Sequence, residues 1–207
     1  MTLNYDLLEA VFDKCDFLTQ IRMRQTTGDA YTIQMTDFYN NMNYIKRQLN
    51  DNIVLLYPHI KKLDANQNTL AIRSKKPITQ NAIRNLHSLV DLNVSYNHAI
   101  TDLNHLSQLR SLSAIGTCID QTAISNLYNL IRLDVSYNSL VYDINHMKQL
   151  RALTAYGWCC ALSHDGIREL RELTHISFFY NDLIKDLSQL SSIESVSPSG
   201  KFILFRP

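Results

Sequence analysis

Apolar residues recur at a fixed spacing through the middle and the C-terminal part of the chain. Each copy of the pattern has an apolar residue at its first, fourth and sixth positions, and the ninth position is often Asn. Seven copies begin at Ile60, Leu89, Leu109, Leu130, Leu150, Leu173 and Ile193. From Leu89 onward the copies lie about twenty residues apart, and self-similarity at such a period predicts a protein of stacked structural repeats.

The spacing inside each copy predicts a short strand that ends in a turn. Side chains alternate along a strand, so the fourth and sixth positions face the core while the third, fifth and seventh face the opposite side. The ninth residue, such as Asn138, is expected to be buried in the turn, where its amide satisfies backbone groups. Thr117 and Trp158 fall at this same ninth position.

Two kinds of repeat alternate along the chain. The segment DLNVSYN, which ends at Asn97, is similar to RLDVSYN and HISFFYN, whereas SLSAIGT and ALTAYGW lie between them. After each Asn, apolar residues return about every third position, which predicts a tight 3₁₀-like return. After Thr117 and Trp158, the spacing of Ile124 and Leu127, and of Ile167 and Leu170, predicts a short helix.

This pattern matches the leucine-rich-repeat template L-x-x-L-x-L-x-x-N. The resemblance implies an α/β fold, a leucine-rich-repeat solenoid whose curved parallel sheet is closed by short helical or 3₁₀ returns. We assign residues 46–207 to the repeats and residues 1–45 to a small helical head. Residues 28–52 either complete the head or belong to the first repeat, and Thr32 to Tyr39 alternate as in a short strand.

The head contains two amphipathic stretches. Leu7, Leu8, Val11, Phe12 and Cys15 share one helical face, and a second stretch carries Phe17, Leu18, Ile21 and Met23. Leu3, Asp6, the Leu7-Leu8 pair, the Val11-Phe12 pair, Asp16, Ile21 and the Arg24-Gln25 pair follow the order of an F-box. With the bridging segment LLYPHIKKLDANQN and the repeats, the chain resembles F-box/leucine-rich-repeat proteins, most closely the putative ones of giant amoebal viruses.

That resemblance implies a substrate receptor of a Skp-cullin-F-box ubiquitin ligase. The head would contact the Skp-type adaptor through Leu3, Leu7, Leu8, Val11, Phe12 and Ile21, and the repeats would hold the target protein. In the alternative, the chain is a stand-alone scaffold whose head only covers the open end of the solenoid, because terminal repeats need a cap. A signalling regulator that binds a host protein is a third possibility.

The target-binding surface is predicted on the concave face of the sheet. Protein interfaces favour aromatic and Arg anchors among polar groups. The candidates are Asp91, Asn93, Arg132, Asp134, Tyr156, His175 and Phe179. The alternative is that these positions are merely solvated, which explains the many serines better than the two aromatic residues.

Composition narrows the function further. The formal charge of +1 gives no argument for nucleic acid or an anionic membrane, and no apolar run reaches membrane-spanning length. The chain turns acidic too early for a secretory leader, and its four cysteines form no disulfide framework, so a cytoplasmic protein is expected (in the host cell, if it is viral). Cys159-Cys160 lacks the companion pair of a zinc site, and no motif indicates an enzyme or a cofactor.

Overall fold

The computed structural model describes residues 37–38, 50–55, 57–67 and 78–197. The predicted adaptor-binding residues Leu3, Leu7, Leu8, Val11, Phe12 and Ile21 lie outside these ranges. The described strands are β1 Asp37–Phe38, β2 Lys62–Asp64, β3 Asp91–Asn93, β4 Ser111–Ser113, β5 Arg132–Asp134, β6 Ala152–Thr154, β7 His175–Ser177 and β8 Ser195–Ser197. The described helices are α1 Asp51–Val54, α2 Gln80–Ile83 and the 3₁₀ helix Thr122–Ile124.

The strands form one parallel sheet in the order of the sequence. Equivalent residues of neighbouring repeats pair directly, so that Leu92 is opposite Leu112 and Leu112 is opposite Leu133. This arrangement confirms the predicted leucine-rich-repeat solenoid. The sheet begins with β1, which pairs with β2 and lies before residue 46, where the sequence pattern places the start of the repeats.

The core is a column of apolar side chains supplied by the repeating positions. Each repeat adds one rung, and stacking the rungs removes from water the apolar edge that a single repeat would leave exposed. The first-position residues Ile60, Leu89, Leu109, Leu130, Leu150 and Leu173 are buried, as are the fourth-position residues Leu63, Leu92, Leu112, Leu133, Leu153 and Ile176. At the sixth position Ala114 and Ala155 alternate with Val94, Val135 and Phe178, and all five are buried.

The asparagines of the ninth position are buried, as predicted, and hold neighbouring repeats together. The Nδ2 of Asn97 donates to the carbonyls of Ala65 and Ile78, which lie in the preceding turn and return, at 3.0 and 2.9 Å. The Nδ2 of Asn181 donates to the carbonyl of Leu162 in the same way, at 3.0 Å. Each amide therefore satisfies buried backbone groups that would otherwise lose their hydrogen bonds with water.

The third residue after each strand from β3 to β7 has a left-handed backbone. It is Tyr96, Tyr137 or Tyr180 in one kind of repeat, with φ of 55–59°, and Gly116 or Gly157 in the other. The left-handed region is costly for a residue with a Cβ, by about 1–2 kcal/mol. The rings of Tyr96 and Tyr137 pack on the glycine of the next repeat: a Cβ on Gly116 would lie 3.0 Å from Cε1 of Tyr96.

Gly157 provides a test of this Tyr–Gly packing. Its φ is 98°, and a Cβ there would lie 2.5 Å from Cδ1 of Tyr137. We expect Gly157→Ala to lower the free energy of unfolding by about 2 kcal/mol, partly through the left-handed backbone and partly through the ring. In a Tyr137→Ala background the same change should cost less, because the ring is gone. An equal cost in both backgrounds, measured by urea denaturation, would show that the ring does not contact this glycine.

The returns differ from the prediction in one respect. After Asn97 and Asn138 they are tight turns, as expected, but the predicted helix around Ile167 does not form. The amide of Ile144 in the preceding repeat donates to the carbonyl of Gly166, and Asn145 bonds both the carbonyl of Asp165 and the amide of Glu169. Leu103 and Asn104 bond the return after Thr117 in the same way, so these contacts do not explain why the helix is absent. The equivalent return after Thr117 is limited to a single turn of 3₁₀ helix.

The placement of Trp158 at the buried asparagine position is wrong. Trp158 is 84% exposed, and Cys160, which is buried, occupies that position and contacts the carbonyl of Val135 through its Sγ at 3.6 Å. Trp158 and Cys159 are the two central residues of a turn closed by the amide of Cys160 and the carbonyl of Gly157. This repeat is longer than its counterpart, and the extra residues bulge outward because the core accommodates only one side chain at this position.

Candidate protein-binding surface

Three rows of side chains cross the face of the sheet opposite the core. Because the strands are in register, each row runs from one repeat to the next. The first row is Lys62, Asp91, Ser111, Arg132, Ala152, His175 and Ser195; the second is Asp64, Asn93, Ser113, Asp134, Thr154, Ser177 and Ser197. The third row follows the strand ends and contains Asn66, Ser95, Ile115, Ser136, Tyr156 and Phe179. All seven candidates for target binding belong to these rows.

The N-terminal half of this face is polar and largely occupied by its own contacts. Arg132 reaches across the small Ser111 to Asp91, with 4.0 Å between Nη2 and Oδ2. The arginine side chain is 66% exposed, so this ion pair contributes little to stability and leaves the guanidinium accessible. Asn93 and Asp134 each accept a hydrogen bond from the backbone amide two residues later, at 3.1 and 3.0 Å, and thereby fix the turn at the end of the strand.

Three serines of this face have structural roles. Oγ of Ser95 is buried, bonds Oγ of Ser113 at 2.8 Å and accepts from the amide of Ile115 in the next repeat. Oγ of Ser136 accepts from the amide of Tyr156 in the same way, at 3.0 Å. These contacts join neighbouring turns, which accounts for Ser95, Ser113 and Ser136 without any ligand.

Partial burial of the Asp134 carboxylate lowers the stability of the fold, whereas Asn93 at the equivalent position carries no charge. Burial raises the pKa of the Asp134 carboxyl above its ordinary value, while hydrogen bonds from Ser136 act in the opposite direction. The folded state therefore takes up the proton more readily than the unfolded state. It follows that Asp134 destabilises the fold at neutral pH, and that this cost disappears as the pH falls through the raised pKa toward the unfolded value.

We accordingly expect Asp134→Asn to raise the melting temperature at pH 7. The amide can accept the same hydrogen bond from Ser136, as Asn93 does from Ser95, and it carries no charge to desolvate. The advantage of the variant over the wild-type chain should shrink as the pH is lowered toward the ordinary carboxyl pKa of about 3.9. A variant that melts below the wild-type chain at pH 7 would show that the negative charge is stabilising.

The C-terminal half of the face is aromatic and more open. The hydroxyl of Tyr156 accepts a hydrogen bond from Ser177 at 2.9 Å, which holds its ring across the face. His175 is exposed, and its Nδ1 lies 2.8 Å from Oγ1 of Thr174. Phe179 is 43% exposed although it has no polar group to solvate. The structure therefore places these three predicted residues together in the last repeats, separate from Asp91 and Asn93.

The aromatic side chains continue past the strand ends. Tyr180 is 57% exposed, and its ring centroid lies 5.0 Å from that of Phe179 and 6.0 Å from that of Trp158. Tyr137, two repeats earlier than Tyr180, is 45% exposed. We call Tyr137, Trp158, Phe179 and Tyr180 the aromatic surface. An exposed cluster of large apolar side chains is characteristic of interaction sites.

The sequence pattern missed three of these four residues. Tyr137 and Tyr180 recur with the repeat, and the repeat pattern describes their place in the turn but not the exposure of their rings. Trp158 was misplaced because the repeats were matched without a gap. The spacing of the asparagines indicates this insertion. Asn97 and Asn138 are 41 residues apart, whereas Asn138 and Asn181 are 43 apart, so the second pair of repeats has two extra residues.

The described cysteines show no sign of nucleophilic or metal-binding chemistry. Burial raises the pKa of the Cys160 thiol, so the thiolate that nucleophilic or metal chemistry requires is disfavoured. Cys118 is exposed, and its Sγ lies 3.2 Å from Nδ1 of His98. Within the described ranges, no group of three or more His, Cys, Asp or Glu residues is placed to hold a metal ion. No helix in that part of the chain could cross a membrane.

A polar cleft of about 390 Å³ lies between two returns near the C-terminal end. Its lining includes His164, Asp165, Arg168, Glu169 and Asp186. Arg168 is 3.7 Å from Asp165 and 4.0 Å from Glu169, so the opposite charges of the cleft are paired with each other. The aromatic surface is the stronger candidate, because its rings remain exposed to solvent although they contact one another.

No protein-family model matches this chain, and no curated protein matches it either. Solved structures do match. An internalin C2 from Listeria monocytogenes is 23% identical, with a TM-score of 0.52, over 80% of this chain and 67% of that one. The functional domain of InlJ from Listeria monocytogenes, which includes a cysteine ladder, is 22% identical with a TM-score of 0.52, over 68% of this chain and 30% of that one.

A third solved structure is an internalin, InlF, also from Listeria monocytogenes. It is 21% identical, with a TM-score of 0.50, over 81% of this chain and 59% of that one. This chain therefore spans about two thirds of the length of internalin C2 and less of the other two. At these identities the likeness shows the fold alone, a leucine-rich-repeat solenoid like those of the internalins.

Proposed function

We propose that this chain is a non-catalytic protein-interaction scaffold that binds a partner protein through the C-terminal half of its concave face and the adjoining aromatic surface. Repeat proteins of this kind present extended concave surfaces for binding. The observation that carries the proposal is the exposed cluster of Trp158, Phe179 and Tyr180. The role of stand-alone scaffold, which the sequence left as the alternative, needs only the repeats.

The composition of this surface suits an interface. Energetic anchors of protein interfaces are enriched in Trp, Tyr and Arg, surrounded by polar residues that exclude water. Trp158 and Tyr180 supply such anchors beside Tyr156, and Arg132 offers an accessible guanidinium two strands from His175. Burying the exposed rings against a partner would remove apolar area from water at about 25 cal/mol per Å².

Paired selections from a displayed library of small proteins test the proposal. Binders selected on the wild-type chain should lose affinity for a variant that combines Arg132→Glu with Phe179→Ala, and for Trp158→Ser. They should keep their affinity for a control that combines Tyr128→Ser with Tyr142→Ser, because these tyrosines are 55% and 59% exposed but lie outside the surface. Binders that depend on the control tyrosines, or on neither set, would contradict the proposal.

A second function is favoured by the order of residues near the N-terminus. Leu3, the Leu7-Leu8 pair and the Val11-Phe12 pair follow the F-box pattern. We propose on this ground that the scaffold also acts as a substrate receptor of a Skp-cullin-F-box ubiquitin ligase, in the cytoplasm. The head would bind the Skp-type adaptor, and the aromatic surface would hold the protein to be ubiquitinated.

Size-exclusion chromatography with a purified Skp-type adaptor tests this second function. The full chain should elute as a complex with the adaptor, and Leu8→Asp should abolish the complex. Leu183→Asp is the matched control, because Leu183 is 45% exposed on the solenoid and should have no part in adaptor binding. If the wild-type chain forms no complex, the receptor role is excluded while the scaffold role stands.

A further inference from the structure

We infer that the aromatic surface, together with the half-buried Tyr96, recognises a proline-rich segment in the polyproline II conformation, which lies along the row of Tyr96, Tyr137 and Tyr180. This inference rests on the proposed scaffold function and specifies the chemistry of its partner. It depends on the spacing expected for the tyrosines, on the way their rings are held, and on the donors at their edges.

The spacing follows from the alternation of the repeats. Each tyrosine stands at the end of a strand in every second repeat. Parallel strands are about 4.8 Å apart, so we expect the backbones of consecutive tyrosines of the row to be about 9.6 Å apart. A polyproline II helix rises about 3.1 Å per residue with three residues per turn, and thus presents the same side every 9.3 Å or so. Over the whole row the two periods differ by about 0.6 Å.

Other peptide conformations fit this row less well. Side chains on one face of an extended strand recur about every 6.7 Å, which does not match the tyrosine spacing. Two turns of α-helix advance about 10.8 Å, so an α-helix would be out of step by about 2.4 Å at the third tyrosine. Polyproline II is therefore the regular conformation whose period matches all three positions.

The rings are held in place before any ligand arrives. The ring of Tyr96 packs on Gly116 and the ring of Tyr137 packs on Gly157. The ring of Tyr180 contacts those of Phe179 and Trp158, with centroid distances of 5.0 and 6.0 Å. Binding to such rings loses little side-chain freedom, which lowers the entropic cost of the complex. The flat faces of fixed aromatic rings are the surfaces on which proline-rich ligands dock.

The polar atoms of this row are available. In the described part of the chain, neither the hydroxyls of Tyr96, Tyr137 and Tyr180 nor Nε1 of Trp158 has a hydrogen-bond partner. A polyproline II segment makes no internal hydrogen bonds, so its carbonyls are accepting groups that these donors can reach. In an α-helix the carbonyls are already occupied. The row therefore offers both apolar contact and donors to the same ligand.

Trp158 supplies a built-in probe for the test, since it is the single tryptophan of the chain and lies beside Tyr180. A capped nonaproline peptide, titrated into the full chain, should shift the emission of Trp158 saturably, whereas a glycine–serine nonamer should not. A peptide with proline at every third position and serine between should bind, and one with proline at every second position should bind at least tenfold more weakly. Tyr180→Ala should weaken nonaproline binding about tenfold or more, the loss of a central aromatic contact.

Two further variants separate recognition from folding. Tyr137→Phe keeps the ring on Gly157 and removes only the hydroxyl, so it should weaken binding while the melting temperature stays unchanged. Tyr142→Ala removes an exposed tyrosine outside the row and should leave binding unchanged. No saturable shift with nonaproline, or equal affinity for the two proline spacings, would overturn the inference. If selected proteins nevertheless bind through Trp158 and Phe179, the scaffold function survives and only the proline-rich ligand is excluded.

Discussion

Replacing Gly166 by alanine should lower the free energy of unfolding by about 3 kcal/mol or more, the upper range for overpacking a filled interior. Gly166 is buried in the return of the repeat that begins at Leu150, and its carbonyl accepts a hydrogen bond from the amide of Ile144 at 2.9 Å. A Cβ added there would collide with the carbonyl oxygen of Tyr142 and would crowd Cδ1 of Leu162. The obstacle is backbone, so no side-chain rotation can relieve it.

Chemical denaturation of Gly166→Ala measures this effect, with Ser163→Ala as the control in the same return. The control should stay within about 0.5 kcal/mol of the wild-type chain. The preceding pair of repeats has Ala123 at the equivalent place, where its carbonyl accepts from the amide of Leu103 at 3.0 Å. If Gly166→Ala leaves the free energy of unfolding unchanged, the return can move to the spacing that accommodates Ala123.

Leucine in place of Asn138 should cost about 3 kcal/mol, because several buried polar groups would lose their partners at once. Asn138 is fully buried and its Nδ2 donates to the carbonyl of Ile119 at 2.9 Å and to Oγ1 of Thr117 at 3.3 Å. Its Oδ1 accepts from the amides of Leu140 and Val141, at 2.8 and 3.0 Å. A leucine fills a similar volume but satisfies none of these groups.

Asn126→Leu is the matched control for this substitution. Asn126 is exposed on the same solenoid, and its side chain makes no hydrogen bond in the described part of the chain. We expect its replacement to change the free energy of unfolding by less than about 0.5 kcal/mol. Equal losses for Asn138→Leu and Asn126→Leu in urea denaturation would indicate that the buried amide is dispensable, against its role in joining the repeats.

The solenoid was predictable from sequence because every repeat has apolar residues at the same positions. Leu92, Leu112 and Leu133 occupy equivalent positions, so their spacing indicates both the strand and its inward face. The buried amides of Asn97 and Asn138 were predictable for the same reason. Their hydrogen-bond partners in neighbouring repeats were not, since those depend on how closely two returns approach each other.

The candidate site was predicted only in part. Alternation along a strand identified Tyr156, His175 and Phe179, which the structure brings together in the last repeats. Trp158 was missed because its exposure arises from an insertion of two residues, which breaks the period on which the prediction depended. Tyr137 and Tyr180 were missed because a repeated residue looks structural, although its ring can serve both the fold and the surface.

Quenching of Trp158 fluorescence by acrylamide tests the central claim most directly, since the chain has no other tryptophan. In the free chain the quenching should be strong, because the side chain is 84% exposed. Addition of a saturating binder from the paired selections should protect Trp158 in the wild-type chain and equally in the Tyr128→Ser/Tyr142→Ser control. If Trp158 remains as accessible in the complexes as in the free chain, the aromatic surface is not where this protein binds its partner.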